Sequence, residues 1–91
     1  MNVIDQTIYY DLIRDGHDYF REAGYERNNG AYLKARNLFL KAKCKFQEAN
    51  EMAIYKGNNY CSLFTEINAC ETMYAKMEEL LISQTITQTI K

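Results

Sequence analysis

Apolar residues recur at alternating three- and four-residue steps along two stretches of the chain, and this pattern dictates what it can fold into. In the middle stretch the series is Tyr32, Ala35, Phe39, Ala42, Phe46, Ala49 and Ala53. In the next it is Leu63, Ile67, Cys70, Tyr74, Met77 and Leu81. Such spacing puts every member on one stripe of a helix, and a stripe of that composition must be buried against partner helices. The pattern therefore predicts an all-α protein.

Three helices are expected. The first runs from Asp5, a good N-cap, to about Glu26, with Ile8, Leu12, Ile13, Tyr19, Phe20 and Ala23 on its buried side. Gly16 interrupts that helix, and an interior glycine costs roughly 0.5–1 kcal/mol relative to alanine. Its presence predicts a close helix approach or a kink. Asn28-Asn29-Gly30 breaks the chain, and helix two follows from about Ala31 to Lys56. Gly57-Asn58-Asn59 forms the second break, with Gly57 as a C′ residue and Asn59 or Ser62 as the cap of helix three. Helix three is expected to reach about Ile82. The tail, residues 83–91, alternates Thr, Gln and Ile and is expected to fray or to dock on a neighbour. No repeat of the whole hairpin is visible, so the predicted architecture is an antiparallel up-down-up three-helix bundle in one domain, residues 1–91.

With 91 residues the core is small, and self-association is an expected way to bury more surface. Eight tyrosines and no tryptophan suit a wet core edge or an interface. The net charge is −1 with both signs mixed, and no basic stripe marks a nucleic-acid partner. Absence of proline agrees with long helices. No run is long and apolar enough to span a membrane, and Met1-Asn2-Val3-Ile4-Asp5 lacks the features of a signal peptide. The three cysteines, Cys44, Cys61 and Cys70, form no CxxC pair. Cys70 sits on an apolar stripe as a small hydrophobe, which fits a reduced thiol and a cytoplasmic setting.

Chemistry-bearing constellations are sparse. His17 is the only histidine and lies near Asp11, Asp15 and Asp18, which reads as a solvated acidic face rather than a metal site. Lys34, Arg36, Lys41, Lys43 and Lys45 make the exposed side of helix two cationic. A second line on helix three is more informative: Phe64, Asn68, Glu71, Ala75 and Glu78 follow the seam's own step beside it. Asn68 and Glu71 share a side one turn apart, suited to hydrogen bonding across helices or subunits. These five residues are the predicted partner-binding surface, flanked by Lys41 and Lys45 if the partner is acidic.

Several segments carry a resemblance. Leu12-Ile13-Arg14-Asp15-Gly16, the run from Tyr32 through Ala35, Leu38-Phe39, Lys41-Ala42 and Gln47-Glu48-Ala49-Asn50, and Asn68-Ala69-Cys70-Glu71-Thr72-Met73 are similar to elements of a known family. The chain there resembles the lactose/cellobiose-type IIA proteins of the bacterial sugar phosphotransferase system. That resemblance implies a trimer of three-helix protomers carrying a phosphoryl group in sugar transport. The family's phosphorylated histidine falls on Asn68, which cannot carry a phosphoryl group as imidazole does, and His17 does not match it. The family's acidic residue that can hold a metal at the trimer axis falls on Glu71, so a divalent cation there is implied by resemblance alone; no other cofactor is expected.

Tyr32, Ala35, Leu38, Phe39 and Ala42, with Lys76-Met77-Glu78-Glu79-Leu80, also resemble microtubule-interacting-and-trafficking domains. This implies a partner helix in the groove between helices two and three. The expectation is a non-catalytic protein-protein interaction module, with an active phosphocarrier and a helix-binding trafficking domain or small inhibitor as the alternatives.

Overall fold

The computed structural model describes the backbone of residues 3–55 and 63–90 and the side chains of residues 6–52 and 63–86. Three helices follow one another: α1 (Val3–Asn28), α2 (Tyr32–Tyr55) and α3 (Phe64–Ile90). Among the described residues there is no strand, and the chain is the antiparallel three-helix bundle that the seams require. Ala53, Gly57, Asn58, Asn59, Cys61 and Ser62, to which a seam position, the second break, a cysteine and the α3 cap were assigned, lie outside the described side chains.

Alanine spacing makes α2 the central helix. Ala35, Ala42 and Ala49 recur every seven residues and are completely buried, and Phe39 and Phe46, at 1% exposure, lie beside them. On α1 the buried line is Tyr9, Gly16 and Ala23, again seven apart. On α3 and the residue that precedes it the line is Leu63, Cys70 and Met77, with Ile67 adjoining. Small residues on facing stripes let helix axes approach closely while large ones fill the space between them. Two buried clusters result, one around Phe46 and one around Phe39, joined by Tyr19 and Phe20. Phe20 meets Phe39 edge-on with ring centroids 5.2 Å apart.

Both α1 and α3 pack on α2 but hardly on each other. The molecule is accordingly long and flat, 59 × 18 × 13 Å, with a radius of gyration of 15.9 Å. A compact domain of this length would have about 12 Å.

The first turn has the geometry its sequence foretells. Gly30 adopts φ +78°, Gly30 N–H donates to Arg27 O at 3.0 Å, and Ala31 N–H donates to Glu26 O at 2.9 Å. This pair of bonds is a Schellman motif, which satisfies the last carbonyls of α1 and needs a residue tolerant of positive φ.

Three expectations change. Helix α1 begins at Val3, so Asp5 lies inside its first turn rather than ahead of it. Ile8 is 45% exposed whereas its neighbour Tyr9 is buried, because the line through Gly16 and Ala23 turns Tyr9 inward. The tail is helical to Ile90 instead of frayed. Its β-type residues extend an already nucleated helix, where each added residue gains a hydrogen bond. Every described side chain from Ile82 to Ile86 is exposed, so these turns project past the end of the core.

Candidate functional site: the groove between α2 and α3

Antiparallel packing of α3 on α2 brings the predicted line on α3 against the polar shoulder of α2. Phe64, Ile67, Asn68 and Glu71 face Gln47, Asn50 and Glu51 across a groove of about 380 Å³. Phe64 stands at its lip, 58% exposed, and Ile67 forms part of its buried wall. Asn68 and Glu71 are exposed beside it.

Gln47, Asn50, Glu51 and Ile67 were not among the predicted site residues. Among the described residues Asn50 is the buried polar residue of the core, at 9% exposure, and its Oδ1 accepts a hydrogen bond from Leu63 N–H at 3.2 Å. A side chain of α2 thus takes one of the orphan donors at the start of α3 and fixes where α3 begins relative to α2. The signal was present: Asn50 lies four residues after Phe46, on the seam's edge, where a poor helix former needs a local reason.

Two glutamates of α3, Glu71 and Glu78, are engaged within the chain. Glu71 Oε1 lies 3.2 Å from Lys43 Nζ, and Glu78 Oε1 lies 3.6 Å from Arg36 Nη1. The Arg36 guanidinium also sits 5.7 Å from the Tyr74 ring centroid, while its Nε is buried without a hydrogen-bond partner among the described residues. A cation shared between Glu71 side chains would have to displace Lys43. Ala75 and Glu78, further along the same side of α3, do not line the groove.

The cationic side of α2 divides between the other two helices. Arg36 and Lys43 turn to α3, while Lys34 pairs with Glu26 of α1 at 3.5 Å. Lys41 lies 5.8 Å from the Tyr19 ring centroid, on the α1 flank. Lys45, one turn on, shares that flank, so Lys41 and Lys45 do not border the α2/α3 groove. The outward line of α2 is instead Leu33, Asn37, Leu40, Cys44 and Gln47, all exposed. The seam had suggested a basic outer face. Basic side chains went to the shoulders, where long stems cover apolar surface and their charges reach acidic partners.

On α1 the acidic face is closed by its own arginines. Arg14 lies 3.1 Å from Asp11 and 3.6 Å from Asp15, and Arg21 lies 3.3 Å from Asp18. His17 is not part of that network; its ring edge packs on Phe46, centroids 5.0 Å apart. Among the described residues, no group of three or more His, Cys, Asp or Glu side chains is placed to hold a metal. No described helix is long and apolar enough to cross a membrane. Cys70 is fully buried, and burial lifts its thiol from 9.0 to about 11, with Lys43 opposing and Glu66 and Glu71 adding to the rise.

Comparison with known protein families, with curated proteins and with solved structures finds no match for this chain.

Proposed function

We propose that the chain is a non-catalytic interaction module that seats an amphipathic helix of a partner protein in the α2/α3 groove. The observation that carries the reading is the groove itself, with Phe64 exposed at its lip and an acidic side chain, Glu51, exposed on the opposite wall. Among the described residues Glu51 makes no ion pair, unlike Glu71 and Glu78. The fitting occupant is a helix with apolar anchors at i, i+3 or i+4 and i+7, plus a basic residue opposite Glu51. Asn68 supports a non-catalytic role, because it stands where the phosphotransferase resemblance puts the phosphorylated histidine.

Self-association belongs to the same reading, as a trimer by that resemblance or as a dimer on physical grounds. Leu33, Leu40 and Phe64 supply exposed apolar surface for it.

A photo-crosslinking residue placed at position 64, and separately at position 22 on the outer side of α1, tests the site in cells. The reading expects one partner captured from position 64 and not from 22. A peptide of that partner's helix should then lose roughly thirtyfold in affinity with Phe64→Ala, the effect of removing a hot spot of about 2 kcal/mol. Equal capture from both positions, or unchanged affinity with Phe64→Ala, removes the groove as the site. Acid-labile phosphorylation on incubation with phosphoenolpyruvate and the general phosphotransferase components would replace this reading with the phosphocarrier one.

A further inference from the structure

The exposed line of α3 that borders the groove continues well beyond it. Phe64 and Ile82 are 18 residues apart, five full turns of helix, so they stand on one stripe, with Ile86 one turn further. All three are large, apolar and more than half exposed: Phe64 58%, Ile82 59% and Ile86 53%. The stripe is thus apolar at both ends. Its midpoint is Ala75, eleven residues from Phe64 and eleven from Ile86, a small exposed residue that lets another helix come near. Between the centre and the ends lie Glu71 and Glu78, each already beside a cation of α2. Ile82 and Ile86 belong to the turns that project past the core, so no described element of their own chain covers them.

We infer that two copies of the chain pair antiparallel through this stripe about a twofold axis at Ala75, which rests on the self-association proposed above and gives it a surface. Such a contact uses the same patch on both copies and closes at two. Phe64 of one copy meets Ile86 of the other, Ile82 comes opposite Asn68, and each contact is made twice. The overhang of each copy thereby lies on the body of the other, at the lip of its α2/α3 groove. A parallel pair would bring the two overhangs together beyond both cores, with only each other for cover. Antiparallel pairing also sets the negative end of one helix dipole beside the positive end of the other. Glu71 of one copy and Glu78 of the other approach across the axis, but Lys43 and Arg36 stand 3.2 and 3.6 Å from them, so no unmatched charge is enclosed. The stripe is about 33 Å long and one helix wide. That is less than the about 800 Å² per partner of a standard interface, so the dimer is a weak one, formed at micromolar concentration and above.

A photo-crosslinking residue at position 64 of the purified full chain is the test. Within one copy the helix holds position 64 about 27 Å from Ile82, beyond the reach of such a group, so a link between them joins two copies. Links from position 64 to residues 82–86 are expected, in a species of twice the chain mass. Ile82→Gln with Ile86→Gln should remove those links and weaken the dimer about tenfold or more in sedimentation equilibrium. Both positions are exposed, and circular dichroism verifies that the helices remain. Leu33→Glu with Leu40→Glu should leave the dimer intact. The pairing is overturned if position 64 links instead to residues 64–68 of an isotope-labelled copy, or if the double glutamine variant dimerises as well as the original chain. Dispersal of the dimer by Leu33→Glu with Leu40→Glu also overturns it, as does a single-protomer mass up to about a hundred micromolar. A monomeric chain that still captures a separate protein from position 64 overturns the pairing and leaves the groove reading standing. A dimer with the expected links that captures no other protein supports the pairing and removes the groove reading.

Discussion

The ring of Phe46 occupies the space that a Cβ at position 16 would need: its Cε1 lies 2.7 Å from that point. Gly16 is therefore a close approach of α1 to α2. Gly16→Ala gains about 0.5–1 kcal/mol of helix preference. It also forces a fully buried ring to move, an overpacking cost of about 1–3 kcal/mol. The net expectation is a loss of about 1 kcal/mol or more in urea unfolding. A more stable variant would mean that the ring moves aside at no cost.

Asn50→Ala leaves the amide of Leu63 without its acceptor. A buried donor stripped of its partner costs about 1–3 kcal/mol. The urea midpoint should fall accordingly, and hydrogen exchange at Leu63 and the first turn of α3 should accelerate more than in α1. Equal acceleration in both helices would show that Asn50 serves general packing and not the start of α3.

Cys70 gives the stability a high-pH limit. Its folded pKa lies above the unfolded one, so its contribution is complete below pH 9 and is lost as pH rises to about 11. The window corresponds to about 2–3 kcal/mol. Unfolding measured at pH 8 and at pH 10.5 should show a larger drop for the original chain than for Cys70→Ala, in which only other groups titrate. In the native protein at pH 8, iodoacetamide should modify exposed Cys44 and spare Cys70. Labelling of both at the same rate would place Cys70 outside the core.

Charge reversal at Glu71 and Glu78 should cost the fold little. Both sit in half-exposed pairs, with Lys43 and Arg36, of a kind worth about 0–1 kcal/mol. Like charges would then face each other across α2 and α3, so a melting temperature lower by only a few degrees is expected. Collapse of the helical signal would instead show that these pairs hold α3 in place.

Light scattering over a range of protein concentrations addresses self-association. A mass of two or three protomers at micromolar concentration is expected, and Leu33→Glu with Leu40→Glu should reduce it to one if the outer line of α2 forms the contact. A single-protomer mass throughout would confine the chain's interactions to other proteins.

The core was readable because buried residues must obey the helical period, and Ala35, Phe39, Ala42 and Phe46 do so without exception. Gly30 was readable because its positive φ leaves few residue choices. Tyr9 was not: Ile8 and Tyr9 are both large and apolar, and only the approach at Gly16 decides which turns inward. The tail was misjudged because local β preference says nothing about a helix already propagating through Leu81. At the site, periodicity puts Phe64, Asn68, Glu71, Ala75 and Glu78 on one line, of which the first three border the groove. It could not show that Glu71 and Glu78 are answered by Lys43 and Arg36, since one strand of sequence does not reveal the register of two helices. Asn50 was overlooked for the same reason, because its partner is the backbone of another helix.

Since α1 and α3 each rest on α2 and scarcely on one another, native contacts join elements adjacent along the chain. Such local connectivity belongs to fast folders. During synthesis α1 and α2 can pair, with Phe46 seated against Gly16, before α3 has left the ribosome. Until α3 arrives, the α2 surface that receives Cys70 and Met77 stays open, so the nascent hairpin is exposed to a chaperone or a premature partner.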